Sequence, residues 1–415
     1  MNLIEKIKSG LKEPCICGET HGIVTKNITI GPNIAEQLWD FQKNQFGNIA
    51  NGCVICDQNT YQVLHDDLRH YINAVILEIR SHHADEYMVE MCDDNLKNKN
   101  YDYFIACGSG TIHDLTRIAA YNRNVPFISY PTAPSVDGFV STLAPITTKD
   151  GMKDTIYAGA PIALFADTDV LANAPPRLAA AGAGDILGKY IALADWRLSN
   201  LLTGEYICGP IVETVYRAAN NIKDSLVEFG KDKGGESYKK LCAELLEALI
   251  ISGLCMQYTG NSRPASGAEH HVAHFFEMGI LIPVNYLHGE NVGIGSVLCA
   301  ELYHKFAKSG DIKFTENYDI DENLIKKYYN NIYADIIKEN APNSIKQVTP
   351  EIFYDNLGEI KKIIKTIPSK EELIDLLNII GGVTDIDCDK PLALKLAPYI
   401  RDRFTLLKLM RCVEF

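Results

Sequence analysis

The chain reads as an α/β N-terminal domain with a parallel sheet, followed by an all-α C-terminal domain. From about residue 50 to 170, short β-branched and apolar runs alternate with segments of helical period. That alternation is the signature of βαβ units feeding a parallel sheet. From about residue 175 onward the texture changes to long helical patterns. Between them lies DTDVLANAPPRLAAAG, where Pro175 and Pro176 exclude continued helix before them. The seam falls near residue 172, giving units 1–172 and 173–415.

In order, the apolar runs NGCVICD, NAVILEI, YFIACG and VPFISYP predict strands. YQVLHDDLRHYI and DLTRIAAYNR place apolar residues three or four apart and predict amphipathic helices between them. In the second half, AGDILGKYIALADWRLSNLL, PIVETVYRAANNIKDSLVEF, YKKLCAELLEALIISGLCM and ENLIKKYYNNIYADIIKE each predict a helix. The Lys/Glu-rich stretch from 312 to 372 reads as solvated helix faces and turns.

With 415 residues, 47% hydrophobic and 22% charged, the chain is too long for one conventional core. Its net charge of −13 sets the overall field against nucleic acid or an anionic membrane and favours a small ligand. The longest stretch without a charged residue, Ala248 to Ser262, has 15 residues, too few to span a bilayer. MNLIEKIKSGLKE has no apolar core of a secretory signal, so a cytoplasmic location is expected. The 12 cysteines then read mostly as reduced core thiols. Cys53 and Cys56 read as buried strand residues. Cys15, Cys17 and His21 in CICGETH are close enough to share a metal but lack an obvious fourth ligand, so an irregular segment is expected there.

Phe104 to Asp114 runs from an apolar strand through Gly108 and Gly110 into a helical pattern, a context that suits an anion. Glycines let a backbone approach a pyrophosphate, and the helix start carries partial positive charge. Asp57, at the end of the preceding strand, is placed either to bond a ribose or to cap the next helix. The loop Tyr130 to Ser141 offers hydroxyls at Thr132, Ser135 and Ser141 and a polyol acceptor at Asp137, again where ligands collect in open α/β sheets.

Three acid or imidazole groups stand out in the helical half. Asp185 follows small residues that permit close approach of another element. His270, His271 and His274 crowd one turn, with His270 and His274 on one helix face. His288 stands in LHGE. An Asp/His/His set with an open position fits a divalent metal acting as a Lewis acid.

Taken in order, GSGTIHD, PTAPSVDGFVS, AGAGDILGK, GNSRPASGAEHHVAH and LHGENVGIG resemble the sn-glycerol-1-phosphate dehydrogenase family. Its relatives are metal-dependent glycerol dehydrogenases and 3-dehydroquinate synthases. The resemblance implies a Rossmann-like dinucleotide-binding domain in 1–172 and a dehydroquinate synthase-like helical domain for metal and substrate in 173–415. It implies a divalent metal (zinc, nickel or iron) on Asp185, His270 and His288. His274, Asp137 and Asp185 would carry the substrate and the catalysis, with His271 placed to compete as a ligand. Gly108, Gly110, Thr111, Ile112, His113, Asp114, Thr132, Ala133, Pro134, Ser135 and Ser141 would contact NAD(H) or NADP(H), and Asp57 its adenosine ribose. The implied reaction is reduction of dihydroxyacetone phosphate to sn-glycerol 1-phosphate; for a soluble enzyme of this size a homodimer is the default expectation. The rivals are a glycerol or polyol dehydrogenase, a dehydroquinate-synthase-like lyase and a noncatalytic nucleotide or metal sensor. Arg263 either contacts the substrate phosphate or orders its loop.

Overall fold

The computed structural model describes residues 4, 15–48, 50–64, 72–283 and 285–415. Its centre is a six-stranded sheet formed by β1 (Asn27–Gly31), β2 (Gly52–Asp57), β3 (Asn73–Leu77), β4 (Tyr103–Gly108), β5 (Phe127–Pro131) and a later strand, Ala163–Asp167. Two intervening strands, β6 (Leu143–Thr147) and β7 (Lys153–Tyr157), pair antiparallel as a separate hairpin, so the last sheet strand is β8. The order is β1-β8-β5-β4-β2-β3, and every pairing in it is parallel.

The four runs read as strands become β2 to β5, and two further strands complete the sheet. NITIG, which forms β1, is only half-buried at the edge. ALFAD, which forms β8, pairs with both β1 and β5. Along β2 and β4 the pleat sends alternate residues to opposite faces. Cys53, Ile55, Phe104 and Ala106 pack in one core cluster, and Val54, Cys56, Ile105 and Cys107 in another. Cys53 and Cys56 therefore lie fully buried on opposite sides of the sheet and cannot share a metal.

Helices α1 (Ala35–Phe46), α2 (Gln58–Tyr61), α3 (Glu86–Leu96) and α4 (Gly110–Arg123) follow successive strands. Most of the helix expected over 61–72 lies outside the described residues. The position 172 falls within α5 (Thr168–Asn173), and Pro176 then opens the long α6 (Pro176–Thr203). Next come α7 (Gly209–Lys231), α8 (Gly235–Thr259), α9 (Ala268–Glu277) and α10 (His288–Lys308). Helix α8 is long and apolar enough to cross a membrane, yet 83% of its apolar window is buried inside the protein, which marks it as a core helix. The single helix expected in ENLIKKYYNNIYADIIKE is instead two, Glu322–Tyr329 and Tyr333–Glu339, joined by a 3-10 turn at Asn330–Ile332. Asn330, at φ 45°, leaves the helical region and breaks the run.

The small residues before Asp185 do what their size suggests. A Cβ on Gly182 would stand 1.9 Å from the carbonyl oxygen of Pro134, and one on Gly184 2.2 Å from that of Gly289. Helix α6 thus touches the loop after β5 and the start of α10 at once, which brings Asp185 to both. Gly184→Ala is expected to destabilise by about 1–3 kcal/mol through overpacking. Gly358→Ala, in an open position on the helix Pro350–Ile364, should instead stabilise by up to about 1 kcal/mol. Urea unfolding of both variants checks this, and an unshifted Gly184→Ala midpoint would refute the close contact.

Candidate active site

A cavity opens at the carboxyl edge of the sheet, between the start of α4, the loop after β5, the β6–β7 hairpin and the helices α9 and α10. Ser109 begins α4 without a side-chain cap, leaving first-turn N–H groups at Gly110 and Thr111 for a ligand in the cavity. The glycines make the turn tight: a Cβ on Gly108 would stand 2.7 Å from Ile112, and one on Gly110 2.9 Å from Val136. The hydroxyl of Ser135 is buried at the cavity wall without a hydrogen-bond partner, which suits a polar ligand.

Gly110, Thr111, Asp114, Ser135 and Ser141 line this cavity. Gly108, Ile112, Thr132, Ala133 and Pro134 stand behind it rather than among its lining residues. His113 differs most from the sequence-based expectation. Its ring is fully buried, bonding the Ser109 carbonyl at 2.9 Å and the Ser129 hydroxyl at 2.8 Å, so its side chain braces the loop from behind. Asp57 caps α2, accepting from the N–H groups of Asn59 and Thr60 at 2.8 Å each, and is not part of the cavity wall.

Asp185 on α6, His270 on α9 and His288 at the start of α10 converge, with ligand atoms all within 4.8 Å of one another. The His270 Nε2 lies 3.8 Å from an Asp185 oxygen. Both imidazoles are oriented by glutamate side chains, Glu277 as a carboxylate and Glu269 as a buried carboxyl that burial pushes up to about 8 and whose Oε1 still accepts. The Oε1 of Glu269 receives the Gly267 N–H at 2.9 Å and stands 2.7 Å from the His270 Nδ1, so Nδ1 carries the proton and Nε2 the lone pair. Glu277 does the same for two rings, accepting from the Nδ1 of His288 at 2.7 Å and of His274 at 3.0 Å. Such carboxylate–histidine pairs fix the tautomer that a metal requires.

Burial alone would raise the pKa of Glu277, but His83, Lys153, His274 and His288 outweigh it and hold the carboxyl well below its ordinary value. Lys153 comes from the hairpin, 2.9 Å away. Burial, aided by Lys189, keeps His270 well below the usual histidine range, and burial brings His274 down to about 4. Both are thus neutral at physiological pH. His274, Glu277 and His288 also converge closely, but the Glu277 oxygens are already taken by the two Nδ1–H groups.

Lys189, fully buried, donates to Asp185 at 2.6 Å and to the Ala265 carbonyl at 3.0 Å, and lies 2.8 Å from Asp137. Burial opposes its charge, but Asp137 and Asp185 outweigh that and raise its pKa. The Asp137 N–H donates to the second Asp185 oxygen at 2.9 Å. The set fits a divalent cation: the Asp185 carboxylate, a neutral His270, and His288, which Glu277 holds above the usual histidine range against burial so that it releases a proton on binding metal, with both rings open on the cavity side.

One expectation is corrected and one open alternative is decided. His271 does not compete for this site: it is buried away from the cavity lining and belongs to neither converging set around Asp185 and Glu277. Arg263 is not a cavity residue. It pairs with Glu205 through Nε at 2.6 Å and donates to the Phe404 carbonyl at 2.8 Å, ordering its loop. The cavity's arginine is Arg401, which bonds Thr155 at 3.1 Å, and its neighbour Arg403 holds the Ser266 carbonyl and the Ser262 hydroxyl. The sequence carried a signal for the missed residues near the metal set. Lys189 is four residues from Asp185, and Glu277 is three from His274, each on one helix face. Arg401 had no such signal.

The family model described as iron-containing alcohol dehydrogenase matches residues 29–175. Similar solved structures include an iron-containing alcohol dehydrogenase from Thermotoga maritima (TM-score 0.56, 14% identity, covering 95% of this chain and 98% of that one). A probable glycerol dehydrogenase from Sinorhizobium meliloti is another (TM-score 0.52, 15% identity, covering 92% and 97%). The fold is thus that of the iron-type alcohol dehydrogenases. A curated glycerol-1-phosphate dehydrogenase, NAD(P)+-dependent by name, from Bacillus velezensis is 42% identical over 306 residues, covering 69% of this chain and 73% of the relative. One of the same name from Bacillus licheniformis is 33% identical over 429 aligned positions, covering 99% and 94%. The chain belongs to the glycerol-1-phosphate dehydrogenase family.

Because Glu277 fixes His288 and His274 together, Glu277→Gln should weaken metal binding by roughly 10–100-fold. Competition against a chromophoric chelator measures this, and an unchanged affinity would show that the rings need no such partner.

Proposed function

We propose that this chain reduces dihydroxyacetone phosphate to sn-glycerol 1-phosphate with NADH or NADPH, using one divalent metal held by Asp185, His270 and His288. The observation that carries the reading is that His270 and His288 line the same cavity as the uncapped start of α4, with Asp185 fully buried behind them and converging on both. The names of the relatives supply the substrate and cofactor. When bound, the cation supplies Lewis-acid polarisation of a carbonyl and the reduced nicotinamide supplies the hydride.

The chain's own residues hold and orient. The Gly110 and Thr111 N–H groups and the Ser135 hydroxyl receive the cofactor's polar groups. His274, with its proton on Nδ1 toward Glu277, keeps Nε2 to accept a hydrogen bond from a substrate hydroxyl. Asp137, held by Lys189 and by the Ser252 hydroxyl at 2.8 Å, aligns another. Arg401, with Ser262 and Ser266 on the same cavity wall, meets the phosphate, which favours a phosphorylated substrate over glycerol or another plain polyol. Residues 1–172 form the cofactor domain and 173–415 the metal and substrate domain. Zinc, nickel and iron all suit oxygen and imidazole ligands. A cytoplasmic homodimer that takes no nucleic acid and inserts in no membrane completes the reading.

Protein stripped of metal and reloaded with zinc, nickel or iron should oxidise NADH or NADPH with dihydroxyacetone phosphate, yielding sn-glycerol 1-phosphate by chiral analysis. Asp185→Asn should lower kcat by roughly 10²–10³-fold, the scale of losing one electrostatic stabiliser. Cofactor binding without oxidation under any metal would refute the reaction. Arg401→Ala should raise KM for dihydroxyacetone phosphate by roughly 10–100-fold, the worth of a charged hydrogen bond. Steady-state kinetics that show equal effects on glycerol would remove Arg401 from phosphate recognition.

A further inference from the structure

The N-terminal Cys15, Cys17 and His21 lacked a fourth ligand in the sequence, and the fold supplies it. Cys208, 193 residues from Cys15, ends the loop between α6 and α7 and joins them. The Cys15 and Cys208 sulfurs are 3.8 Å apart, and the His21 Nε2 lies 3.5 Å from Cys208 and 3.2 Å from Cys17. All four ligand atoms fall within 4.8 Å of one another. Tetrahedral zinc, with bonds of about 2.3 Å to sulfur and 2.0–2.1 Å to nitrogen, spaces its ligands about 3.6–3.8 Å apart.

Three further features fit a metal. The His21 Nδ1 bonds the Tyr258 carbonyl at 2.9 Å. A carbonyl only accepts, so Nδ1 carries the proton and Nε2 presents its lone pair to the sulfurs. The Tyr206 hydroxyl lies 3.1 Å from the Cys17 sulfur, where it can donate to a thiolate. Cys15 to Gly18 forms a tight turn, with Gly18 at φ +89° and its N–H on the Cys15 carbonyl, which folds the two N-terminal sulfurs toward one point.

We propose that Cys15, Cys17, His21 and Cys208 form a structural zinc site, separate from the Asp185 site and sharing no residue with it. Four protein ligands close the coordination sphere, as structural zinc sites do, whereas the Asp185 set leaves a position open. On binding, the three thiols lose their protons and no electron transfer is involved. The ion ties the segment before β1 to the start of α7 and the end of α8.

Cobalt(II) separates the two sites, because only thiolate ligands give a sulfur-to-cobalt charge-transfer band in the near ultraviolet. Wild-type protein loaded with cobalt should show that band, and metal analysis after zinc loading should find a second ion per chain. Cys17→Ser and Cys208→Ser should lose both the band and that ion. Asp185→Asn should keep the band while losing the other ion. If the serine variants do not fold, the wild-type and Asp185→Asn spectra decide alone. A wild-type spectrum without the band overturns the proposal. So does a Cys15–Cys208 disulfide, read as a thiol count two short of the 12 cysteines on denatured zinc-free protein and assigned to that pair by peptide mapping.

Discussion

Two carboxylates from different halves of the chain meet at one ammonium. Asp137 follows β5, Asp185 sits on α6, and Lys189, one turn further along α6, lies against both. All three are buried, and leaving such a charge without its partner costs about 3–5 kcal/mol. The arrangement is possible only because Gly182 and Gly184 let α6 press against the Pro134 and Gly289 carbonyls. The contact that seats the helical half on the sheet is therefore also the contact that assembles the site. Asp185 is held on both oxygens, by Lys189 and by the Asp137 N–H.

The histidines follow the same logic with the opposite charge. A neutral imidazole binds metal: burial holds His270 in that form while Glu277 pulls His288 the other way, and in both rings the nitrogen that faces the site must be set. Glu269 and Glu277 set it from outside the ligand shell. Glu277 is itself a buried anion and is stabilised by Lys153 from the β6–β7 hairpin. That hairpin lies outside the main sheet, yet it closes the cavity and balances the charge that orients His274 and His288. A negative site in a chain of net charge −13 thus draws its local cations, Lys153, Lys189 and Arg401, from three separate elements.

How much of this could be read in the sequence follows from how each feature is encoded. Period and apolar runs placed β2 to β5 and the long helices, because buried parallel strands need unbroken apolar stretches. They did not reveal β1, a half-buried edge strand, or the break at Asn330, where a helical pattern continues across a residue in the left-handed region. That Asp185, His270 and His288 belong together could be anticipated because short motifs carry them, and the fold brings the three to one point. Partners that act through space were not: Lys153 and Arg401 carry no local pattern, and the segment around Arg401 had none to offer. Arg263 and His113 show the reverse case, conspicuous residues whose partners, Glu205 and Ser129, turn them inward.

Arg263 also links the proposed zinc site to the cavity wall. The loop from Gly204 to Cys208 is held on three sides. Its Tyr206 carbonyl accepts from the Trp196 indole at 2.8 Å, its Tyr206 hydroxyl reaches Cys17, and its Glu205 clamps Arg263. Arg263 in turn holds the Phe404 carbonyl, one residue beyond Arg403, whose guanidinium fixes Ser262 and Ser266 at the cavity wall. A zinc ion on Cys15, Cys17, His21 and Cys208 would anchor the far end of this series of contacts. The closed, thiolate-rich site then has a mechanical task, keeping one wall of the cavity in place, while the open Asp185 site is left free for chemistry.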